Sequence, residues 1–158
     1  PRSILTHRIN RINLGLTMGN FMDGCMPSAE GKDYSDMSPY EKMEADIRAL
    51  VRSKNCGPIL IRLSWHDAGV FSSGKLKGGC PNAAMRFTDG GEGTFGANAG
   101  LPTVALGLLA PLTAKWVDVG MISHADFWTL AANIAIEVMG GPKIKTRFGR
   151  KDAKSSKE

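Results

Sequence analysis

Ile61-Arg62-Leu63-Ser64-Trp65-His66-Asp67-Ala68-Gly69 is an apolar segment that carries an arginine, an indole and an imidazole at helical spacing. Read as a helix, it sets Arg62, Trp65 and His66 at i, i+3 and i+4, on one face. The guanidinium keeps its charge, whereas the imidazole gains or loses a proton near neutral pH. Such a strip suits a site that must take a proton and hold developing negative charge.

Working outward, the flanking sequence supplies helix signals. Ser38-Pro39-Tyr40-Glu41 is a capping box with proline at the first helical position, which predicts a helix through Met43, Ile47, Leu50 and Val51 to about Ser53. A turn at Asn55-Cys56-Gly57 and a first-turn Pro58 open the second helix, which carries Ile59, Leu60, Leu63 and the reactive trio to about Val70. Phe71 to Gly96 holds seven glycines and reads as a long loop, of the kind that usually serves a function. Asn98 heads a third helix with Leu101, Ala105, Leu108, Leu109 and Leu112. Ser123-x-x-Asp126 caps a fourth through Phe127, Leu130, Ala131, Ile134 and Val138, ended by Gly140-Gly141-Pro142. No Val/Ile/Thr-rich alternating run argues for strands, so the class is all-α. The organisation expected is an irregular arm over 1–37, a helical domain over 38–142 and a basic tail over 143–158.

The chain has 158 residues, 42% of them hydrophobic, enough for the core of one ordinary domain. Its net charge of +5 is uneven: +3 over residues 1–14, −3 over 15–142 and +5 over 143–158. Both ends are basic and the body mildly acidic. The tail is expected to be a solvated end, with an acidic protein or an anionic membrane as partners that either basic end could meet. Nucleic acid is excluded, because no recognition module or interleaved aromatics accompany the charge. Cys25, Cys56 and Cys80 form an odd set without a C-x-x-C pair, which favours free thiols in a reducing intracellular compartment. Thr94 to Ala114 is uncharged and long enough to span a bilayer, but its prolines, glycines and Asn98 make it a poor span. The start at Pro1 fits a processed or an incompletely traced start, which a removed targeting peptide would explain without being readable from the sequence; an organelle such as the plastid is one expected compartment.

The pattern Arg62-x-x-Trp65-His66-x-Ala68-Gly69 resembles the distal helix of the class I haem peroxidases. It is joined in order by Gly78-Gly79-Cys80-Pro81-Asn82, Met85-Arg86-Phe87 and Gly96-Ala97-Asn98-Ala99-Gly100-Leu101. Ala125-Asp126, Glu137 to Pro142 and Gly149-Arg150-Lys151-Asp152 follow. Together these span roughly residues 38 to 152. The ascorbate peroxidase branch is the nearest likeness, since Lys54 and Cys56 stand where that branch places a lysine and a cysteine beside its reductant.

The resemblance implies a haem-peroxidase-like distal helical domain with long glycine-rich loops, and reduction of hydrogen peroxide by ascorbate at haem b. Cleaving the O–O bond needs a base to carry a proton between the two oxygens and a cation to stabilise the departing one. His66 is implied as the acid/base, Arg62 as the cation and Asn98 as the acceptor for the second imidazole nitrogen. Trp65 is implied to lie over the haem, with Pro58 nearby. Phe148, standing where the family has a proline, joins them in the cofactor-facing set. Lys54 and Cys56 mark the reductant edge.

The family also has a second helical half, with the proximal histidine that binds the iron and the other wall of the pocket. No residue here matches it. His7 lies in the arm, and His124, in the first turn of the fourth helix, reads as capping or solvent-exposed. The expectation is a truncated distal half, inactive as an isolated chain, whose exposed haem-side face is covered by a protein partner. The alternatives are a haem-free accessory subunit of a larger assembly, and redox sensing through a Cys56 thiol of depressed pKa.

Overall fold

The computed structural model describes residues 32–69 and 79–157. Expectations for His7, Cys25, the arm up to residue 31 and the loop over 70–78 lie outside those residues. The described residues are helical and contain no strand, as the all-α class requires.

Helix α1 runs Pro39–Lys54 and starts as its capping box dictates. The Glu41 amide donates to Ser38 Oγ at 3.3 Å and the Ser38 amide to Glu41 Oε2 at 2.7 Å. It ends at Asn55, left-handed with φ 50°. Met43, Ile47, Leu50 and Val51 recur at one helical face and are buried. Helix α2, Gly57–Ala68, begins two residues later and buries Leu60 and Leu63 completely. The fourth predicted helix is α4, His124–Val138, capped by Ser123 Oγ accepting from the Asp126 amide at 3.1 Å. It packs on both α1 and α2 and is buried nearly all round, through Phe127, Trp128, Leu130, Ala131, Ile134 and Ala135. Its one polar strip, Thr129, Asn133 and Glu137 at four-residue spacing, is the half-buried side of an otherwise apolar helix.

The third helix departs from expectation. It starts at Leu101, after Gly100 in the left-handed region at φ 84°, and runs as a π-turn over Leu101–Ala105, α3 over Leu106–Leu112 and a π-turn over Thr113–Val117. Asn98 does not head it: the residue lies in a 3-10 turn, Gly96–Asn98, with its side chain committed elsewhere. Pro111 inside α3 has no backbone N–H, so the preceding turn lacks one helical donor. By length and composition alone Gly96–Val117 is apolar enough to cross a membrane, with mean hydropathy 1.3. One side of it, including Leu101, Ala105, Leu109, Leu112 and Trp116, is in the protein core.

Residues 32–37 and part of the tail from 143 make contacts with the helical domain. Tyr34 donates to Asp46 Oδ1 at 3.0 Å, and buried Asp46 also accepts from Trp116 Nε1 at 3.0 Å and pairs with Lys115 at 2.9 Å. The basic tail is tied down because its own acid and backbone find helix-end partners. Asp152 accepts from the amides of His124 and Ala125, both at 2.9 Å, filling the free donors at the start of α4. The Ala153 amide donates to the Asn82 carbonyl at 2.7 Å, and Ala153 is buried.

Candidate active site

Helix α2 has two unlike faces. Leu60, Leu63 and Asp67 turn inward, while Arg62, Trp65 and His66 turn out. The two sets are offset on the helix, so burying the first necessarily presents the second. Trp65 is 68% exposed, an unusual state for an indole, and its ring lies edge-on to His66 with centroids 5.1 Å apart.

The tautomer of His66 follows from its neighbours. Asn98 Nδ2 donates to the Glu92 carbonyl at 2.8 Å, and a carbonyl can only accept, so the amide orientation is set. Asn98 Oδ1 therefore faces His66 Nδ1 at 2.6 Å, and an oxygen there requires Nδ1 to carry hydrogen. In the neutral ring Nε2 is left as a base. Asn98 is buried, at 5% exposure, which holds this arrangement against solvent. Arg62 reaches the same loop, donating to the carbonyls of Ala97 at 2.6 Å and Ala99 at 3.2 Å. The structure thus brings Arg62, Trp65, His66 and Asn98 together.

The other expected site residues stand outside this bonded cluster. Pro58 is exposed at the start of α2. Phe148 is half exposed and packs edge-to-face on Tyr40 with centroids 5.5 Å apart; the structure does not bring it to Trp65 or Pro58. Lys54 is exposed. Cys56 is not at an accessible edge: it is 5% exposed, its Sγ lies 3.9 Å from the Leu50 carbonyl, and burial raises its pKa. A raised thiol pKa is opposite to what redox sensing needs. His124 is neither capping with its ring nor solvent-exposed. Its ring packs edge-on to Trp128 at 6.4 Å and burial lowers its pKa.

Two acids for which the sequence motifs carry no role stand behind the site. Asp67 is 1% exposed and accepts from the Ala83 amide through both oxygens, at 3.0 and 3.1 Å. Burial pushes its pKa up to about 6, opposed by that amide and reinforced by the charge of Glu92. Glu92 is itself raised by burial, and its Oε2 is buried without a hydrogen-bond partner. A signal for Asp67 existed, since it lies seven residues after Leu60 and four after Leu63 on the buried face. The role of Glu92 runs through a backbone carbonyl, which no side-chain pattern encodes. Asp126, besides its place in the helix-cap motif, is a buried anchor, accepting from the Gly149 amide at 2.7 Å and Arg150 Nη1 at 2.9 Å.

The family model described as Peroxidase matches residues 43–158. "Probable L-ascorbate peroxidase 3, peroxisomal" of Oryza sativa is 41% identical over 133 residues, covering 84% of this chain and 43% of the relative. "L-ascorbate peroxidase T, chloroplastic" of Arabidopsis thaliana is 43% identical over 122 residues, 75% of this chain and 27% of the relative. A "Putative heme-binding peroxidase" of Cryptococcus neoformans is 41% identical over 123 residues, 73% of this chain and 36% of the relative. The chain spans less than half the length of these relatives. Their names are those of peroxidases, which favours the enzyme lineage over an accessory subunit. A match this extensive, centred on a helix that presents Arg62, Trp65 and His66 and a loop that returns Asn98, places the chain in the peroxidase family, as a segment of its class I, ascorbate peroxidase branch.

Proposed function

We propose that this chain forms the peroxide-facing side of a haem site that reduces hydrogen peroxide with ascorbate. The observation that carries the reading is the chain of contacts from the Glu92 carbonyl through Asn98 to His66, which leaves Nε2 free to take a proton. His66 carries a proton from one peroxide oxygen to the other, acting first as base and then as acid. Arg62 supplies fixed positive charge for the departing oxygen, and the carbonyls of Ala97 and Ala99 hold its guanidinium beside the loop that bears Asn98.

The residues present fit haem b. An indole 68% exposed next to an imidazole with a free nitrogen is the surface a flat, apolar macrocycle covers. Trp65 and exposed Pro58 would hold its face. Bound haem supplies an iron that ligates peroxide and accepts its oxidising equivalents. The second wall and the iron's protein ligand come from protein outside this segment, which is the partner for the exposed Trp65 face. A reducing intracellular compartment is the one that fits, the relatives being named peroxisomal, chloroplastic and cytosolic.

The test is reconstitution with haem followed by peroxide-dependent ascorbate oxidation, read by absorbance. His66→Ala should slow the peroxide reaction about 10²- to 10⁴-fold, the range of a positioned acid/base. Failure to take up haem together with its second wall, or an unchanged rate in His66→Ala, would overturn the reading.

A further inference from the structure

Residues 143–150, the straight run that follows α4, contain no helix, turn or bend. Three ties hold the run in place: the Gly149 and Arg150 amides donate to Asp126, and Asn133 Nδ2 donates to Thr146 Oγ1 at 2.9 Å. The rest of its backbone is unspent. Among the described residues the amides of 143–148 have no acceptor, and of their carbonyls only that of Arg147 is taken, by Arg150 Nη1. Lys143, Lys145 and Arg147 alternate along the run, are exposed, and pair with no acid among the described residues. Ile144 and Phe148 are 43% and 50% exposed beside a groove of about 650 Å³ that Leu130 and Ile134 also line. Of the acids on that groove, Glu41 is held by Lys32 and Glu137 by Arg48, both at 2.8 Å, and only Glu44 has no ion pair.

We infer that residues 143–148 are a docking edge for an acidic peptide segment of another protein, which adds to the run as a strand with its carboxylates opposite Lys143, Lys145 and Arg147. A straight edge with free amides and carbonyls is a template for an incoming strand. Alternation along a strand sends successive side chains to opposite faces, so the three cations present one charged face and Ile144 and Phe148 an apolar one. A peptide that alternates acids with apolar residues matches both, since opposite charges directly across a strand pair attract. Asp126 and Asn133 hold the run before the partner arrives, so the cost of ordering falls mainly on the peptide. A merely solvated basic tail needs neither the anchors nor the alternation. The chain itself is a poor occupant: residues 1–31 carry Arg2, Arg8 and Arg11 against Asp23 and Glu30. Outside its helices it has no stretch in which acids alternate with apolar residues, so a second copy fits no better. None of the edge residues belongs to the cluster of Arg62, Trp65, His66 and Asn98, so docking stands or falls separately from the peroxide reaction.

Fluorescence anisotropy of a labelled peptide alternating glutamate with valine, titrated with the 158-residue chain at low salt, tests the edge. Saturable binding is expected, weakened by added salt and about tenfold weaker in the triple variant Lys143→Gln/Lys145→Gln/Arg147→Gln. The same peptide N-methylated at every residue keeps its charge but offers no backbone donor, and should bind at least about tenfold more weakly. The substituted positions are exposed, and circular dichroism verifies that the variant keeps its helices. Absence of saturable binding, equal affinity for the N-methylated peptide, or equal affinity in the triple variant overturns the inference. Phosphatidylserine vesicles are the competing surface: if they sediment the chain while the peptide does not bind, the run is a membrane contact and the peptide edge is refuted.

Discussion

Asn98 Oδ1 accepts a 2.6 Å hydrogen bond from His66 Nδ1, joining residues 32 apart in sequence and deciding which imidazole nitrogen is the base. Asn98 does this only because its amide is anchored to the Glu92 carbonyl. Asn98→Ala removes the acceptor and frees the ring to adopt the other tautomer. The peroxide reaction rate of the haem-loaded protein is expected to fall about 10- to 100-fold, as for loss of a residue that orients a ligand or base. Stopped-flow mixing with peroxide measures it, and an unchanged rate constant would rule out an orienting role.

Arg62 is bonded to two carbonyls of the loop that carries Asn98. Arg62→Leu should therefore slow the peroxide reaction by about a hundredfold through lost charge stabilisation. Arg62→Lys keeps charge but not the two-pronged geometry, so its rate should lie between the two. A lysine variant as slow as leucine would show that geometry, rather than charge, dominates.

Asp67 gives the fold a pH dependence whose sign can be worked out. Its pKa is raised from 3.8 to about 6 in the folded chain, so between those values the folded state binds more protons than the unfolded one. Stability is then greatest below about pH 4 as far as this group is concerned, and declines as pH rises to about 6, by up to about 3 kcal/mol. Asp67→Asn should flatten that slope. Urea denaturation at pH 4, 5, 6 and 7 reads it out, and parallel curves for wild type and variant would refute the assignment.

Asp126 pins the segment after α4 to the start of that helix through Gly149 and Arg150. Asp126→Ala leaves a partly buried guanidinium and a backbone amide without their acceptor, at a cost of about 2–3 kcal/mol. A urea midpoint shift of that size should come with faster proteolysis in the lysine-rich stretch from Lys143, since its anchor is gone. Unaltered cleavage there would show that Asp152 and Ala153 suffice to hold it.

Three of the four helices were legible because their signals are local. The capping box at Ser38, the cap at Ser123 and the apolar repeat of α1 are each completed within a few residues, and each stands where it was read. The third helix was misplaced at its start because Asn98 has the chemistry of a cap and the position of one. A distant histidine and a carbonyl claim its side chain instead, and proximity in space outweighs a local preference. The charge of the tail fits its largely exposed residues, but its anchoring turns on Asp152, which meets the free amides of α4 only after the chain folds back.

The order of residues along one helix turn was enough to place Arg62, Trp65 and His66 on a common face, since α-helical geometry relates sequence spacing to direction without help from the rest of the molecule. It was enough, too, for the peroxidase resemblance that the family match bears out. Which nitrogen of His66 is the base, and that Cys56 is buried rather than offered to a reductant, are decided by contacts between segments far apart in the chain. Such contacts depend on how helices of given length pack and where their loops return, and that information resides in the assembled core rather than in any one stretch of residues.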